Sequence, residues 1–224
     1  MRLNNEENQE KQPSNYPSIF STRVQHNKLI TLHLDENIQE PSYYRGIVDE
    51  LMGLTQNDSV QILINSHGGD YYGMLTLIES IRNTEADVLA VITGMAASAA
   101  SIIALSCPSL MICDGATMMI HSLSYGTFGK ESDVRSYTQF MTKQTDKLIR
   151  QTYDGFLTKQ EIDEVIQGRE IWFDAEEIRE RAARRTKFLA RQSKKKFPKI
   201  SKIQNVGEET VSPPKGEENT LKIS

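Results

Sequence analysis

The sequence predicts an α/β layered fold built from βαβ units. Three short apolar runs, at 28–34, 60–65 and 88–93, are each the length of a buried strand. Between them lie segments whose apolar residues recur at helical spacing, and strands that alternate with helices favour a parallel sheet with helices against it. The 224 residues are 38% hydrophobic and 25% charged, as expected for one globular domain with tails.

The first half of the chain follows this alternation element by element. Lys28–Leu34 reads as a strand, and Pro41-Ser42 opens a helical pattern with Ile47, Val48, Leu51 and Met52 on one face. Asn57-Asp58 forms a turn before the strand Val60–Asn65. A helix over about 70–83 follows, with Met74, Leu75, Ile78 and Ile81 expected inside.

The second half adds a long helix. A strand at 88–93 and a helix at 98–106 precede two short strands, Ser109–Cys113 and Thr117–Ile120. The glycines at 126 and 129 mark a loop or hairpin, and Glu131 to about Phe156 then reads as a helix near 39 Å long, at about 1.5 Å per residue. A domain of this size needs no such length for its own core, so we expect the helix to protrude toward a partner subunit.

Two capping boxes and a change of composition define the end of the domain. Thr158 with Glu161 opens a short helix, and Asp174 with Glu177 opens another that runs to about Gln192. Residues 1–20 and 193–224 are polar or charged without hydrophobic periodicity, which is typical of mobile tails. We therefore place a single domain at 21–192, between an N-terminal tail and a basic, then acidic, C-terminal tail.

Charge is concentrated near the C-terminus. Residues 179–202 contain eleven Lys or Arg and one Glu, although the whole chain carries −4. Such a run can contact nucleic-acid phosphates, but only Phe188 and Phe197 supply aromatic rings. A solvated helix, or one packed on acidic neighbours, explains it better, and nucleic acid is not expected as a partner.

Composition also excludes several classes of protein. No apolar segment marks a secretory signal at the N-terminus, so we expect a cytoplasmic protein. Val88–Cys107 has no charge and could span a bilayer, but Gly94, its small residues and Pro108 favour strand plus helix, so no membrane association is expected. Cys107 and Cys113 lie in apolar runs and read as buried thiols, and no metal or cofactor motif is present.

Three segments that follow strands are candidates for the chemistry, although a serine at a helix start is more often only an N-cap and a glycine pair more often only a loop. Val88–Ser101 reads as a buried strand that turns into a helix, with Ser98 at the turn, where free N–H groups can stabilise an oxyanion. Gly68 and Gly69 follow the preceding strand and can form an anion-binding nest. His121 ends a later strand. Carboxyl ends of parallel strands share one edge, so a nucleophile, a base and N–H donors can meet there.

These segments resemble the proteolytic subunit of Clp protease (the ClpP family). The matching strings are INSHGGD at 64–70, GMAASAAS at 94–101, MMIHSL at 118–123 and REIWFDAEE at 169–177. The resemblance implies a ClpP/crotonase-like layered fold with a protruding handle helix. It also implies a serine endopeptidase that cleaves unfolded polypeptides inside stacked rings of identical subunits, with no cofactor and with an AAA+ unfoldase left open as a partner.

The resemblance assigns a role to each matching position. Ser98 would be the nucleophile, His121 the general base and Glu170 the orienting acid, although the family usually has Asp there. Gly69 and Ala99 would donate the oxyanion hydrogen bonds. Substrate would lie extended along Gly68, Asp70, Ser124 and Tyr125 as an added strand. Asp174 competes with Glu170 as the acid, but its capping box already accounts for it. Ser101 competes with Ser98, but we expect it to point into packing.

Departures from the family keep other functions open. Residues 1–20 do not look like the family's pore loop, and RERAARRTKF at 179–188 replaces a stretch usual near the family's C-terminus. The chain could be a phage-type homologue such as a head-maturation protease, or a catalytically silent scaffold subunit of a ring. An acyl-CoA enzyme of the crotonase-like fold is a third alternative, but it would need no serine–histidine pair.

Overall fold

A computed structural model describes residues 27–196, with side chains up to Gln192. Its strands are β1 (Leu29–Leu34), β2 (Ser59–Ser66), β3 (Asp87–Ala97), β4 (Ser109–Ile112), β5 (Thr117–Ile120) and β6 (Ile171–Phe173). Its helices are α1 (Arg45–Met52), which a 3₁₀ turn (Pro41–Tyr44) precedes, α2 (Tyr71–Asn83), α3 (Ala99–Ser106), α4 (Glu131–Tyr153), α5 (Lys159–Ile166) and α6 (Ala175–Lys196). The α/β fold class is confirmed, and the layered sheet-and-helix arrangement is ClpP-like.

The six strands form one sheet in the order β1-β2-β3-β5-β6, with β4 beside β3. The strands from β1 to β5 are parallel, and β6 runs antiparallel to β5. Strand β4 pairs with β3 between Leu89 and Ile92, whereas β5 pairs with β3 farther along, between Met95 and Ala97. The long β3 therefore serves two partners in succession, and its carboxyl end lies beside the end of β5.

The core lies between this sheet and the helices packed on it. Fully buried side chains on the central strands include Ile64, Ile92, Met118 and Ile120. Helix α2 contacts α1 and α3, and α3 in turn contacts α4. The apolar positions of α2 behave as predicted, except that Leu75 is only half-buried. The prediction that Met52 lies on the inner face of α1 is wrong, because Met52 is exposed, whereas Leu51 of the same predicted face is buried as expected.

The prediction that strand β3 ends before Gly94 is wrong. The strand continues to Ala97 because Asn65 supports this part of it: the Asn65 Oδ1 accepts a hydrogen bond from the Met95 N–H at 3.0 Å. A Cβ at Gly94 would overlap the Asn65 side chain. Glycine at this position is therefore needed for close approach between neighbouring strands, and it does not end the strand.

Helix α4 spans 23 residues, about 35 Å, and begins at Glu131 as predicted. It ends at Tyr153, three residues before the predicted end. Its buried residues all lie in the second half, from Met141 to Tyr153, whereas Phe140 is 57% exposed. Only the carboxyl-terminal half of the helix is thus packed on the domain.

Helices α5 and α6 begin at the predicted capping boxes. Thr158 and Glu161 form the first box reciprocally, and Asp174 and Glu177 exchange the same two bonds at the start of α6. Helix α6 continues to Lys196, beyond the predicted end at Gln192. The predicted tail at 1–20 and the rest of the C-terminal tail lie outside the described residues.

The two cysteines differ in burial. Cys107 is buried, and burial raises the pKa of its thiol to about 12, whereas Cys113 is only half-buried, contrary to the prediction of two buried thiols. The segment considered as a membrane span is divided between β3 and α3. None of the helices within residues 27–196 combines the length and apolar character needed to cross a bilayer.

Candidate active site

Ser98 occupies a sharp turn between strand β3 and helix α3. Its backbone has φ 54° and ψ −124°, and among the described residues it is the only non-glycine with positive φ. Such a conformation costs about 1–3 kcal/mol and persists only where neighbouring bonds enforce it. One of those bonds runs from the Ser98 N–H to the Met119 carbonyl of β5, at 2.9 Å. The turn lifts the serine side chain out of the strand.

His121 reaches Ser98 because of how β5 pairs with β3. The register sets Ala97 opposite Met119, so the residues that follow each strand are neighbours. The His121 Nε2 lies 2.7 Å from the Ser98 Oγ, and the ring is half-buried. A hydroxyl nucleophile needs a base within this hydrogen-bond distance. Two residues separated by 23 positions in sequence thus have the geometry of a nucleophile–base pair.

The glycine loop after β2 packs directly on this turn. Gly68 has φ +97°, and a Cβ there would lie 2.8 Å from both the Ser98 Cβ and the Ala97 carbonyl oxygen. Gly69 has φ +148°, and its Cβ would overlap the Ile38 backbone. Glycine is thus the residue that lets the loop approach the serine this closely.

Two backbone N–H groups are candidates for binding an oxyanion. Ile38 bridges the loop through the Gly68 carbonyl and the Asp70 N–H, at 2.8 Å each, so the N–H of Gly69 takes no part in this bridge. Ala99 is the first residue of α3, where an N–H has no partner within the helix. Ala99 follows Ser98 directly, and Gly69 follows Gly68, the glycine that packs on Ser98. The N–H groups of Ala99 and Gly69 are therefore close enough to Ser98 to stabilise a negative charge that develops there.

The third member of the predicted triad is not joined to the pair. Continuing the β5–β6 register by one step sets Glu170 opposite His121, and facing residues of antiparallel strands share one side of the sheet. Glu170 is nevertheless exposed, and within the described residues no carboxylate is hydrogen-bonded to His121. The rival Asp174 accepts the Glu177 N–H as a helix cap.

The predicted substrate-contacting residues divide into two groups. Gly68 lies at the turn, but Asp70 caps α2: its Oδ1 accepts the Gly73 N–H at 2.7 Å. Ser124 and Tyr125 are exposed on the irregular segment after His121, and the Tyr125 ring meets Tyr137 of α4 edge to face. Contact of these residues with substrate stays a prediction.

A small apolar cavity that no sequence pattern indicates lies beside Ser98. Its lining comes from separate parts of the chain: Tyr71, Met74, Ile102, Leu123, Leu148 and Ile149 join Ser98 and His121 around it. The cavity volume is about 20 Å³, enough for one water molecule. Apart from Ser98 and His121, the lining residues read as ordinary core in sequence, so no local signal distinguishes them.

Other polar residues that the sequence singled out have structural partners. Ser101, the rival nucleophile, is fully buried and hydrogen-bonded, as expected. In the basic segment, Arg179 pairs with Asp114 and Arg181 with Glu161. The part of this segment after Lys196 lies outside the described residues. These two arginines of α6 therefore pair with acidic neighbours, which is one of the two arrangements preferred from sequence.

Comparison with known proteins identifies the family. No curated protein matches the chain. The family model for Clp protease matches residues 19–182, nearly three quarters of the sequence, including the glycine loop, Ser98, His121 and Glu170. This range covers every strand of the sheet and the beginning of α6. The chain therefore belongs to the Clp protease family, a family of ClpP-like peptidases.

Proposed function

We propose that this chain is a serine endopeptidase that hydrolyses unfolded polypeptides through an acyl-enzyme. The contact between the Ser98 Oγ and the His121 Nε2, at 2.7 Å, carries the proposal. It lies at a strained turn, beside two candidate oxyanion N–H groups, in a chain of the Clp protease family. An acyl-CoA enzyme would have no use for this pair, so that alternative is not favoured.

The proposed reaction uses four groups in sequence. His121 accepts the Ser98 proton as the Oγ attacks the peptide carbonyl carbon, and the N–H groups of Gly69 and Ala99 stabilise the resulting oxyanion. The C–N bond then breaks, and the imidazolium returns its proton to the leaving amine. Finally His121 takes a proton from the water that attacks the ester carbon. The bond from that carbon to the Ser98 Oγ then breaks, and the imidazolium returns the proton to the Oγ, which releases the acid and restores Ser98.

The cavity beside Ser98 supports a preference for small apolar side chains on the acyl side of the cleaved bond. Beyond the Ser98–His121 pair, its walls are apolar apart from the hydroxyls of Tyr71 and Thr145, so a charged group entering it would lose hydration without gaining a counter-charge. The Tyr71 phenol is neutral at pH 7, and burial raises its pKa further. A bulky side chain would have to displace one of the lining groups.

Assembly into rings around a chamber is part of the same proposal. Clp proteases generally act as oligomeric rings, and α4 offers exposed aromatic residues, Tyr137 and Phe140, that a second subunit could cover. Light scattering of the full chain tests this directly. An AAA+ unfoldase partner, a cytoplasmic location and a phage-type role stay predictions.

The test of the chemistry is labelling of the full chain with a fluorophosphonate, which reacts with activated serines. Wild type should label, and Ser98→Ala and His121→Ala should not. Ser106→Ala serves as the matched control, because its hydroxyl bonds the Ile102 carbonyl of the same helix. An assembled wild-type chain that does not label would favour the silent-subunit alternative, which the absent carboxylate–His121 bond in residues 27–196 also supports.

A further inference from the structure

The carbonyl of Ser98 is a heavily bonded group at the candidate site. It accepts the Ser101 N–H at 3.0 Å and the Ser101 Oγ at 2.7 Å, besides a longer contact from the Ile102 N–H. With the Ser98 N–H bonded to Met119, both sides of the strained residue are thus held. The Ser101 hydroxyl is the one side chain that bonds the Ser98 backbone among the described residues.

That hydroxyl is in turn bonded to Tyr153, the last residue of α4. The two oxygens are 2.7 Å apart, Ser101 is fully buried and Tyr153 is 1% exposed. Serine has one hydroxyl hydrogen, and the Ser98 carbonyl takes it, so Tyr153 is the donor in the second bond. Burial raises the pKa of the Tyr153 hydroxyl, which keeps the proton that this donation needs.

The result is a directed chain of hydrogen bonds from the end of α4 to the serine turn. Tyr153 donates to Ser101, and Ser101 donates to the carbonyl of Ser98. Successive bonds of this kind polarise and strengthen one another in a low-dielectric interior. Since α4 also exposes its other half to solvent, this chain links the helix available for assembly to the nucleophile.

We propose that Tyr153 and Ser101 are positioning residues, which hold the Ser98 peptide in its positive-φ conformation and so keep the Oγ directed at His121. This inference rests on the proposed function, because it assigns the pair a role in the reactivity of Ser98. A merely structural pair would instead satisfy two buried hydroxyls and contribute to stability alone.

The test compares three hydroxyl deletions in the full chain. Tyr153→Phe removes only the phenol oxygen, and Ser101→Ala removes both bonds. Ser80→Ala is the control: Ser80 is also buried, and its Oγ bonds the Thr76 carbonyl within α2, away from Ser98. For each variant we would measure the second-order rate of fluorophosphonate labelling, kcat and KM on an unstructured peptide, and the thermal midpoint.

Loss of one supporting hydrogen bond should slow labelling and kcat about five- to tenfold in Tyr153→Phe, and more in Ser101→Ala. KM and the pH midpoint of kcat should stay unchanged, since neither binding nor the His121 base is altered. Ser101→Ala combined with Tyr153→Phe should react no more slowly than Ser101→Ala alone, because the two bonds act in series.

Each outcome that would overturn the inference is distinguishable from the others. A wild-type chain that labels, with variants that lose thermal stability yet react at the wild-type rate, would show a structural pair only. A wild-type chain that never labels would overturn the proposed function, and the positioning role with it. An equal rate loss in Ser80→Ala would likewise contradict the assignment, because that hydroxyl has no connection to the turn.

Discussion

Replacing Gly68 by alanine should disable Ser98 while the domain stays folded. Gly68 has φ +97°, which disfavours any residue with a Cβ by roughly 1–2 kcal/mol. The added Cβ would lie 2.8 Å from the Ser98 Cβ and 3.0 Å from the Ala99 nitrogen. The substitution therefore pushes on the nucleophile and on one oxyanion donor at once.

The size of the effect follows from these distances. Carbon atoms in ordinary contact are about 3.5–4.0 Å apart, so the two Cβ atoms must separate by about 0.7 Å or more. A misplacement of about 1 Å at reacting groups costs on the order of a hundredfold in rate. We expect kcat/KM to fall about ten- to hundredfold, with a loss of about 2–3 kcal/mol in the free energy of unfolding.

The assay is the fluorophosphonate labelling rate together with peptide hydrolysis and a thermal melt. Gly115→Ala is the matched control, because Gly115 lies in an exposed turn outside the positive-φ region, with open space where a Cβ would stand. A folded Gly68→Ala variant that labels at the wild-type rate would refute the reasoning. It would mean that the loop can move away without disturbing Ser98.

Three further predictions concern carboxylates. Glu170→Gln should lower kcat about tenfold, less than Ser98→Ala, if Glu170 orients His121 in the active assembly. Equal activity in Glu170→Gln and wild type would assign the acid elsewhere. Asp174→Ala should instead lower the thermal midpoint, because it removes the side-chain oxygen that accepts the Glu177 N–H as a helix cap. Arg181, with help from Thr158, lowers the pKa of the Glu161 carboxyl from 4.5 to about 2. The unfolded chain therefore binds the proton of Glu161 more readily than the folded chain does. The ion pair stabilises the fold by roughly 2 kcal/mol, after allowance for its partial exposure. This stabilisation is present above about pH 5 and is lost as the pH falls toward 2. Between pH 7 and pH 2, the thermal midpoint should fall less steeply for Glu161→Gln than for wild type and for the exposed control Glu176→Gln. An equal fall of the midpoint in all three proteins would contradict this prediction.

Much of the fold was predictable because local signals decide it. The alternation of apolar strands with helices, the capping boxes at Thr158 and Asp174, and the turn at Asn57-Asp58 all depend on residues within a few positions of each other. The spacing of motifs also indicated the family and the candidate pair of Ser98 and His121. Such features depend on side-chain periodicity and short-range hydrogen bonds, which sequence displays directly.

Three features were decided only by the tertiary structure. Gly94 continues a strand because Asn65 of the neighbouring strand supports it, and no pattern around Gly94 reveals that contact. The apolar cavity beside Ser98 draws on α2, α3, α4 and the segment after His121, whose residues read separately as core. The bond from Tyr153 to Ser101 joins residues 52 positions apart. Sequence by itself determined the elements and the candidate reactive residues, whereas packing decided what surrounds them, because contacts between distant segments exist only once the sheet has set their register.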